Sequence, residues 1–262
     1  LHLEWGAGLL LAAIFRTGCP GVTGPITDLM SVLIVATWGL AVMSLGRAQR
    51  WCEFADAAVR FQGGAILLAT WLLLAQPPVP TAMQGTLLSP APTGFVWGQE
   101  LLHGGIAVAA LLAALSWRSD HGLAIDFIEA SRGAATTSPW SALWTVLPLA
   151  SLIGFPGLWG GWTRLATAAA VLGVQSMRED ELAVPVGSII VVAAAGVLAT
   201  GFLIRGTIHI VAVMCWEPLI GRPRPPGNGW PQIMAAVLCF VLIIAGVCPM
   251  VVPVVFRLFS VN

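Results

Sequence analysis

The sequence predicts an all-α membrane protein with about seven transmembrane helices, one of them broken, in a single domain over residues 1–262. Hydrophobic residues make up 58% of the chain and charged residues only 9%, whereas a soluble domain carries about 25% charged residues. The apolar residues fall in runs close to the length of about 20 residues that crosses a bilayer as a helix. One longer run, 140–174, is interrupted by glycine and proline.

The apolar runs place the spans at about 5–15, 26–45, 55–75, 95–117, 140–174, 184–204 and 230–256. The first run is short for a crossing, because a full span needs about 20 residues. The loop 76–93 is rich in proline and carries no charge, and the polar connection 118–138 is long enough for a short amphipathic helix. The chain is therefore expected to alternate membrane helices with connections on both sides of the membrane.

The arginines predict the orientation. With seven spans, the connections on the side of the N-terminus contain most of them, and the opposite side contains three: Arg16, Arg178 and Arg257. Because positive residues concentrate on the inner side, the N-terminus is expected on the cytoplasmic or matrix side and the C-terminus outside.

Cysteine labelling checks this orientation. Single cysteines introduced at Gln84 or Arg178 are expected to react with an impermeant thiol reagent from the outside. A control variant that retains only the native Cys52 is expected to react only from the inside. Labelling of positions 84 and 178 only from the inside would reverse the orientation.

The long run 140–174 is expected to break at Pro156 and Gly157, with Gly160 and Gly161 close behind. Proline removes a backbone donor, and unwound backbone at membrane depth persists only where protein or water covers it. Broken helices often mark ion or substrate sites. Arg164 lies just past the break, where a charge costs at least a few kcal/mol, so it should face a partner or a polar cavity. The alternative is a glycine-rich packing kink with Arg164 reaching toward an interface.

Few side chains could carry protons. All 12 basic residues are arginine, which does not release its proton in proteins, so no buried amine can serve. His103 is the best remaining carrier, because imidazole titrates near neutral pH. The alternative is a histidine at a helix head bonded to backbone. Glu100 lies three residues earlier on the same helical face and could pair with His103, or it could belong to a solvated helix start.

The other polar residues give weaker indications of function than Arg164, His103 and Glu100. Glu53 and Asp56 share a face and could compensate Arg50 or Arg60, or all four could form a surface charge cluster. The five cysteines show no CxxC pattern and no histidine at metal-ligand spacing, so no metal site is expected. The net charge of zero gives no indication of nucleic acid. The sequence has no nucleophile triad, phosphate loop, haem signature or quinone signature.

Several segments resemble one known family, in the same order over nearly the whole chain. In one segment, a glycine and a proline six residues apart precede the broken span. The other segments are a histidine-glycine segment before it, the break itself, and two helix ends after it. The segments are Leu102-His-Gly-Gly, Gly133 with Pro139, Leu149-Ala-Ser-Leu-Ile-Gly-Phe-Pro-Gly157, Phe202-Leu-Ile-Arg205 and Ala245-Gly-Val-Cys-Pro249. They resemble the antiporter-like membrane subunits of respiratory complex I, NADH:quinone oxidoreductase. Subunit M, mitochondrial subunit 4, is the favoured type, and subunit N, mitochondrial subunit 2, is the alternative.

The resemblance implies a subunit of the proton-translocating arm, in the mitochondrial inner membrane or the bacterial plasma membrane. It implies no redox chemistry in this chain, with NADH, FMN, Fe–S clusters and quinone bound by partner subunits. The implied partners are other hydrophobic membrane-arm subunits and lipids. The family has about fourteen helices in two inverted repeats, and this chain resembles only the last seven. A further chain, or another stretch of the same protein, is therefore expected to supply the first repeat.

The departures from the family bear on mechanism. The family's charged residue after the break, Glu in the M type and Lys in the N and L types, falls on Arg164. Family lysines elsewhere fall near Gly8 and Ala107, and in a stretch where Arg50 and Phe54 compete. Arg164 is therefore expected to be a fixed charge with a carboxylate within about 4 Å, and the proton half-channel to be degenerate. The alternatives are a subunit of a cation/proton antiporter or other non-respiratory complex, or a purely structural scaffold.

Overall fold

The secondary structure is helical throughout the part of the chain that the structure describes. The structure is a computed structural model, and it describes residues 4, 7–9, 25–75, 93–119, 128–175, 186–215 and 229–248. The helices are α1 (Pro25–Arg47), α2 (Trp51–Ala75), α3 (Thr93–Ser119), a 3-10 turn (Ile128–Ser131), α4 (Ala134–Thr137), α5 (Pro139–Leu152), α6 (Trp159–Gln175), α7 (Val186–Cys215) and α8 (Trp230–Val247).

Five of the described helices, α1, α2, α3, α7 and α8, are long and apolar enough to cross a membrane. Helices α5 and α6, of 14 and 17 residues, are the two pieces of the interrupted run 140–174. The predicted span 5–15 and the loop 76–93 lie almost wholly outside the described residues. The described ranges therefore support a helical membrane protein, and their five apolar helices and one broken pair correspond in position to six of the seven predicted spans.

Some helix ends differ from the prediction. Helix α7 runs on to Cys215 instead of ending near residue 204, because Arg205 is a good helix former and the residues after it are again apolar. Helix α8 ends at Val247, and the rest of its predicted span, 249–256, lies outside the described residues. Pro249 follows two residues later in the sequence. Because the ring of a proline disfavours helical geometry at the residue before it, the helix is expected to end before Cys248. A prediction of helix ends from charge or hydropathy alone is thus inaccurate at the end of α7.

Glu53 fixes the start of α2, which begins four residues before the predicted span. Its Oε2 accepts hydrogen bonds from the backbone N–H groups of Gln49 (2.9 Å) and Arg50 (3.2 Å). A glutamate in the first turn that reaches back to these amides satisfies donors that the helix itself leaves open. The compensation of Arg50 predicted for Glu53 therefore takes the form of a helix cap on its backbone.

The described residues form two compact units. Unit 1 comprises Leu1–Arg47, Val59–Leu102 and Arg164–Phe202, and unit 2 comprises Ala48–Ala58, His103–Thr163 and Leu203–Asn262. Helices α2, α3, α6 and α7 each contribute residues to both units. Each unit contains one of the buried polar clusters described below.

In unit 1, a buried indole joins α1 to α2 and α7. Trp38 Nε1 donates a hydrogen bond to the carbonyl of Phe61 at 3.2 Å. Gly64 and Gly196 lie against the Trp38 ring, and a Cβ on either would clash with it. Small residues at these crossings let the helices approach, as is usual where helices pack inside a bilayer.

In unit 2, helix α8 packs along α5 beside an internal proline. Pro148 has no N–H, so it cannot bond the carbonyl of Trp144 one turn earlier. The thiol of the buried Cys239 on α8 lies 3.8 Å from that carbonyl oxygen and donates a weak hydrogen bond to it. The proline thereby creates an acceptor that a neighbouring helix uses.

Hydrogen bonds within unit 2 hold the described part of the connection between α3 and α5 at two points. Ile128 N–H donates to the Gln49 carbonyl at 2.9 Å, and Gly133 N–H donates to the Val213 carbonyl at 3.1 Å. Trp51 Nε1 also donates to Ser131 Oγ at 3.0 Å. In the described part, the amphipathic helix predicted within 118–138 is a 3-10 turn followed by the single turn α4.

Six of the described threonine hydroxyls are satisfied by their own helices. Each of six Oγ1 atoms donates to the carbonyl four residues earlier. A hydroxyl in an apolar environment needs such a partner, and this local bond supplies it without a second helix. The six are Thr37, Thr70, Thr145, Thr163, Thr200 and Thr207.

Candidate functional site

The helix break between α5 and α6 begins with a glycine in the left-handed region. Gly154 has φ 85°, and the following Phe155 N–H donates to the Ala150 carbonyl at 2.9 Å. Gly154 N–H donates to the Ser151 carbonyl at 3.0 Å. This pair of bonds is the Schellman pattern, which satisfies the last carbonyls of a helix. Gly157, with φ 88°, provides the second left-handed turn on the way to α6.

The start of α6 is bonded to the end of α5. Gly160 N–H donates to Ser151 Oγ at 3.2 Å, and Gly161 N–H donates to the Leu158 carbonyl at 3.0 Å. A Cβ on Gly160 would overlap the Ser151 carbonyl oxygen. Two amides at the N-terminus of α6 are therefore bonded within the protein, and amides at this position of a helix are the groups that bind anions when they are open.

Helix α8 covers one side of the break. Trp162 Nε1 donates to the Gly246 carbonyl at 2.7 Å, one of the last carbonyls of α8 that its own helix leaves open. A Cβ on Gly246 would clash with the Gly157 carbonyl and the Leu158 backbone. Gly160 and Gly246 are thus each in close contact with backbone, with no room for a side chain at either position.

A buried ion pair lies in unit 1, one turn into α6. Arg164 Nη1 is 2.8 Å from Glu100 Oε1 and 2.9 Å from Glu100 Oε2. The Glu100 side chain has 0% exposure and that of Arg164 19%. The carboxylate that the sequence predicts for Arg164 is therefore present within this chain. Glu100 does not lie at a solvated helix start, because α3 begins seven residues earlier and its partners bury it.

Three further residues contact the ion pair. Arg164 Nη2 donates to Gln62 Oε1 at 2.9 Å, and Gln62 Nε2 donates to Glu100 Oε2 at 3.1 Å. Thr167 Oγ1 donates to Glu100 Oε1 at 2.9 Å, and the Arg164 guanidinium lies 5.2 Å from the centre of the Phe61 ring. We call Gln62, Glu100, Arg164 and Thr167 the ion-pair network. It ties together α2, α3 and α6.

The chemistry of this network is that of a fixed charge pair. Arginine does not exchange its proton at physiological pH, so Arg164 offers no step in a proton relay. Both oxygens of Glu100 accept hydrogen bonds from side chains that hold it in place. Pairing and hydrogen bonding offset the desolvation of two charges, and loss of either partner would leave the other uncompensated. The arrangement therefore suits structure and electrostatics, and it does not suit transport of protons through Arg164.

His103 lies in unit 2, in the middle of α3. It is not at a helix head, since the helix begins ten residues earlier at Thr93. Its Nε2 shares a hydrogen bond of 3.0 Å with Ser151 Oγ, the same oxygen that receives Gly160 N–H. Its ring stands edge-on to that of Trp159, with 6.1 Å between centroids. The fully buried imidazole therefore touches both sides of the helix break.

The remaining predicted site residue is placed differently. Arg50 is exposed just before α2, and the Glu53 carboxylate bonds its backbone N–H. In the described ranges, no group of three or more His, Cys, Asp or Glu side chains is arranged to hold a metal ion.

Sequence reasoning missed Gln62, Thr167 and Ser151. A signal existed for the first two: Gln62 is an amide inside an apolar span, and Thr167 follows Arg164 by three residues on the same face of α6. Ser151 had no such signal, because its importance arises from the approach of Gly160 across the break.

The fold and its polar interior define an all-helical integral membrane protein. No protein family matches the sequence, and no curated protein matches it. Among solved structures, a chain of respiratory complex I from Thermus thermophilus with bound aureothin is similar, with a TM-score of 0.45 and 15% sequence identity. The match covers 96% of this chain and 66% of that chain, so the protein spans less than two thirds of its length. That similarity is too low to assign a family.

Proposed function

We propose that this protein is a subunit of the membrane arm of a complex I-like NADH:quinone oxidoreductase, in which this half-channel no longer moves protons through Arg164. The single observation that carries the mechanistic part is the ion-pair network. At the position where the resembled family has a titrating residue, this chain has an arginine bonded to Glu100 at 2.8 Å.

The motif order supports the assignment to this class, and the polar contacts give two of its segments a physical role. Leu102–Gly105 brings His103 to the break, where it shares a hydrogen bond with Ser151. Gly246, within the last motif, accepts Trp162 Nε1 at the break. The subunit M type is favoured over the N type by His103-Gly104, Pro156-Gly157 and the spacing to Trp144.

The proposal includes partners. NADH, FMN, Fe–S clusters and quinone would be bound by other subunits, and this chain would perform no redox chemistry. The exposed break residues Phe155, Pro156 and Gly157 support the need for a neighbouring hydrophobic chain, because non-helical backbone cannot face lipid. A chain or segment that supplies the missing first repeat would be one such neighbour, with the N-terminal side toward the matrix or cytoplasm.

Purification of the tagged, full-length protein from its native membrane in mild detergent tests the assignment. We expect it to co-purify with flavin, Fe–S centres detectable by electron paramagnetic resonance, and NADH:quinone reductase activity. The Glu129→Gln variant, which changes an exposed carboxylate in the Arg132 pair, should retain the same partners and serves as the matched control.

Other outcomes would favour the alternatives. Co-purification with hydrophobic subunits but without flavin or Fe–S centres would favour a cation/proton antiporter or other non-respiratory complex. A monodisperse protein with native helicity and no partner would contradict the proposal and leave a scaffold role.

A further inference from the structure

An arginine lies on the surface of helix α7, in the part of that helix that belongs to unit 2. Arg205 is exposed, and its guanidinium has no ion pair or hydrogen bond with the residues that the structure describes. Two exposed isoleucines, Ile204 and Ile208, lie beside it on α7. A cation among apolar side chains of a membrane helix calls for an anionic or polar partner, because an unpaired charge in the bilayer is costly.

The position of Arg205 along α7 indicates its depth in the membrane. The helix begins at Val186, and no residue from there to Ile204 is charged. At the rise of about 1.5 Å per residue of an α-helix, this segment is about 28 Å long. That length is close to the thickness of the hydrocarbon core of a bilayer, about 30 Å. Arg205 is therefore placed where the hydrocarbon ends and the headgroups begin.

The charged connection between α3 and α5 indicates the same depth. Gly133 N–H donates to the Val213 carbonyl at 3.1 Å, and His209 Nε2 lies 3.9 Å from Glu129 Oε1. The side chains of Glu129 and His209 are both more than half exposed. Because non-helical backbone and exposed charges do not persist in hydrocarbon, α7 lies in the headgroup region or beyond from His209 onward. Arg205, about one helical turn earlier, lies at the edge of that region.

The charges on this surface favour an anion. Arg132 Nε donates to Glu129 Oε2 at 2.7 Å, so these two opposite charges offset each other and the charge of Arg205 remains. His209 follows Arg205 by four residues on the same face of α7, and a neutral imidazole has one N–H donor. The planar guanidinium carries a fork of N–H groups that matches two oxygens of a phosphate.

We propose that Arg205 and His209 bind the phosphate of an anionic phospholipid, with Ile204 and Ile208 against the first carbons of its acyl chains. Depth favours a lipid over a carboxylate of another protein chain, because the lipid phosphates lie at the level of Arg205 and the acyl chains lie beside its apolar neighbours. Basic residues of membrane helices near the surface recognise such headgroups. The site requires only a membrane, so it does not rest on the proposed function.

Photocrosslinking to the purified protein in its native complex tests the site. The delipidated complex would be titrated in mild detergent with phosphatidylglycerol that carries a photoreactive group in its acyl chain, next to the glycerol. Mass spectrometry would measure the lipid adduct on peptides from α7. We expect Arg205→Gln to raise the lipid concentration for half-maximal labelling by at least about fivefold, because each arginine near the surface adds to the attraction.

Arg47→Gln is the matched control. It removes an exposed arginine in the last turn of α1, so it changes the net charge of the protein by the same amount. Labelling of α7 in this variant should equal that of the wild type. An excess of unlabelled phosphatidylglycerol should suppress the α7 adduct, and the same concentration of inorganic phosphate should not.

Three outcomes overturn the proposal. Equal labelling of α7 in wild type and Arg205→Gln would show that Arg205 does not bind the lipid, and equal losses in Arg205→Gln and Arg47→Gln would show attraction by net charge alone. Loss of a co-purifying subunit from Arg205→Gln, with α7 labelling unchanged, would show a protein carboxylate as the partner. None of these readouts depends on NADH:quinone activity, so failure of this inference is distinguishable from failure of the proposed function.

Discussion

Replacing Glu100 with leucine is expected to lower the free energy of unfolding by about 3–5 kcal/mol, the usual cost of breaking one side of a buried ion pair. Arg164 would remain as a largely buried cation, and Gln62 and Thr167 would each lose a carboxylate acceptor. Equilibrium unfolding in mixed detergent micelles, followed by circular dichroism, measures the change.

A double variant separates the charge from the packing. Glu100→Leu combined with Arg164→Met should recover most of the loss, because a buried ion pair can often be replaced by apolar residues at little cost. Glu129→Gln, at an exposed pair, should change stability by less than about 1 kcal/mol. If the loss in unfolding free energy of the double variant equals the sum of the losses of the two single variants, Glu100 and Arg164 do not interact. That result would contradict the ion-pair network.

Replacing Gly160 with alanine is expected to cost about 3 kcal/mol, the upper end for overpacking. The new Cβ would overlap the Ser151 carbonyl oxygen and approach His103 Nε2 at 2.8 Å. Relief of the overlap would separate α5 from α6 and break the bond between Gly160 N–H and Ser151 Oγ. Thermal unfolding in detergent should show a lower midpoint.

Gly105 provides the control for this substitution. It lies within α3, and a Cβ there would meet nothing within 4 Å. Gly105→Ala should therefore stabilise the protein by about 0.5–1 kcal/mol, through the better helix propensity of alanine. Equal effects at the two glycines would show that the close approach at Gly160 is absent.

The spans and the break were predictable because they depend on local properties of the chain. Apolar runs identify α1, α2 and α3 to within a few residues, and Pro156 with its glycines identifies the turn between α5 and α6. The need of Arg164 for a carboxylate was also predictable, since an unpaired charge in the membrane is costly.

The identity of that carboxylate was not predictable from local spacing. Glu100 was predicted either to pair with His103, three residues away, or to belong to a solvated helix start, but it bonds Arg164, 64 positions along the chain. Helical periodicity reports which residues share a face and does not report which face meets which. The bonds of Trp38 and Trp162 to carbonyls likewise depend on which helices pack together.

Proton transport by the double variant tests the fixed-charge interpretation most directly. Under the proposed function, the complex containing Glu100→Leu with Arg164→Met would be reconstituted in proteoliposomes, and the protons translocated per NADH oxidised would be compared with wild type. Because a permanently protonated arginine cannot relay protons, we predict the same ratio in both. A lower ratio in a double variant that keeps its fold, its partners and its NADH oxidation would show that the pair takes part in proton transfer and would contradict the account.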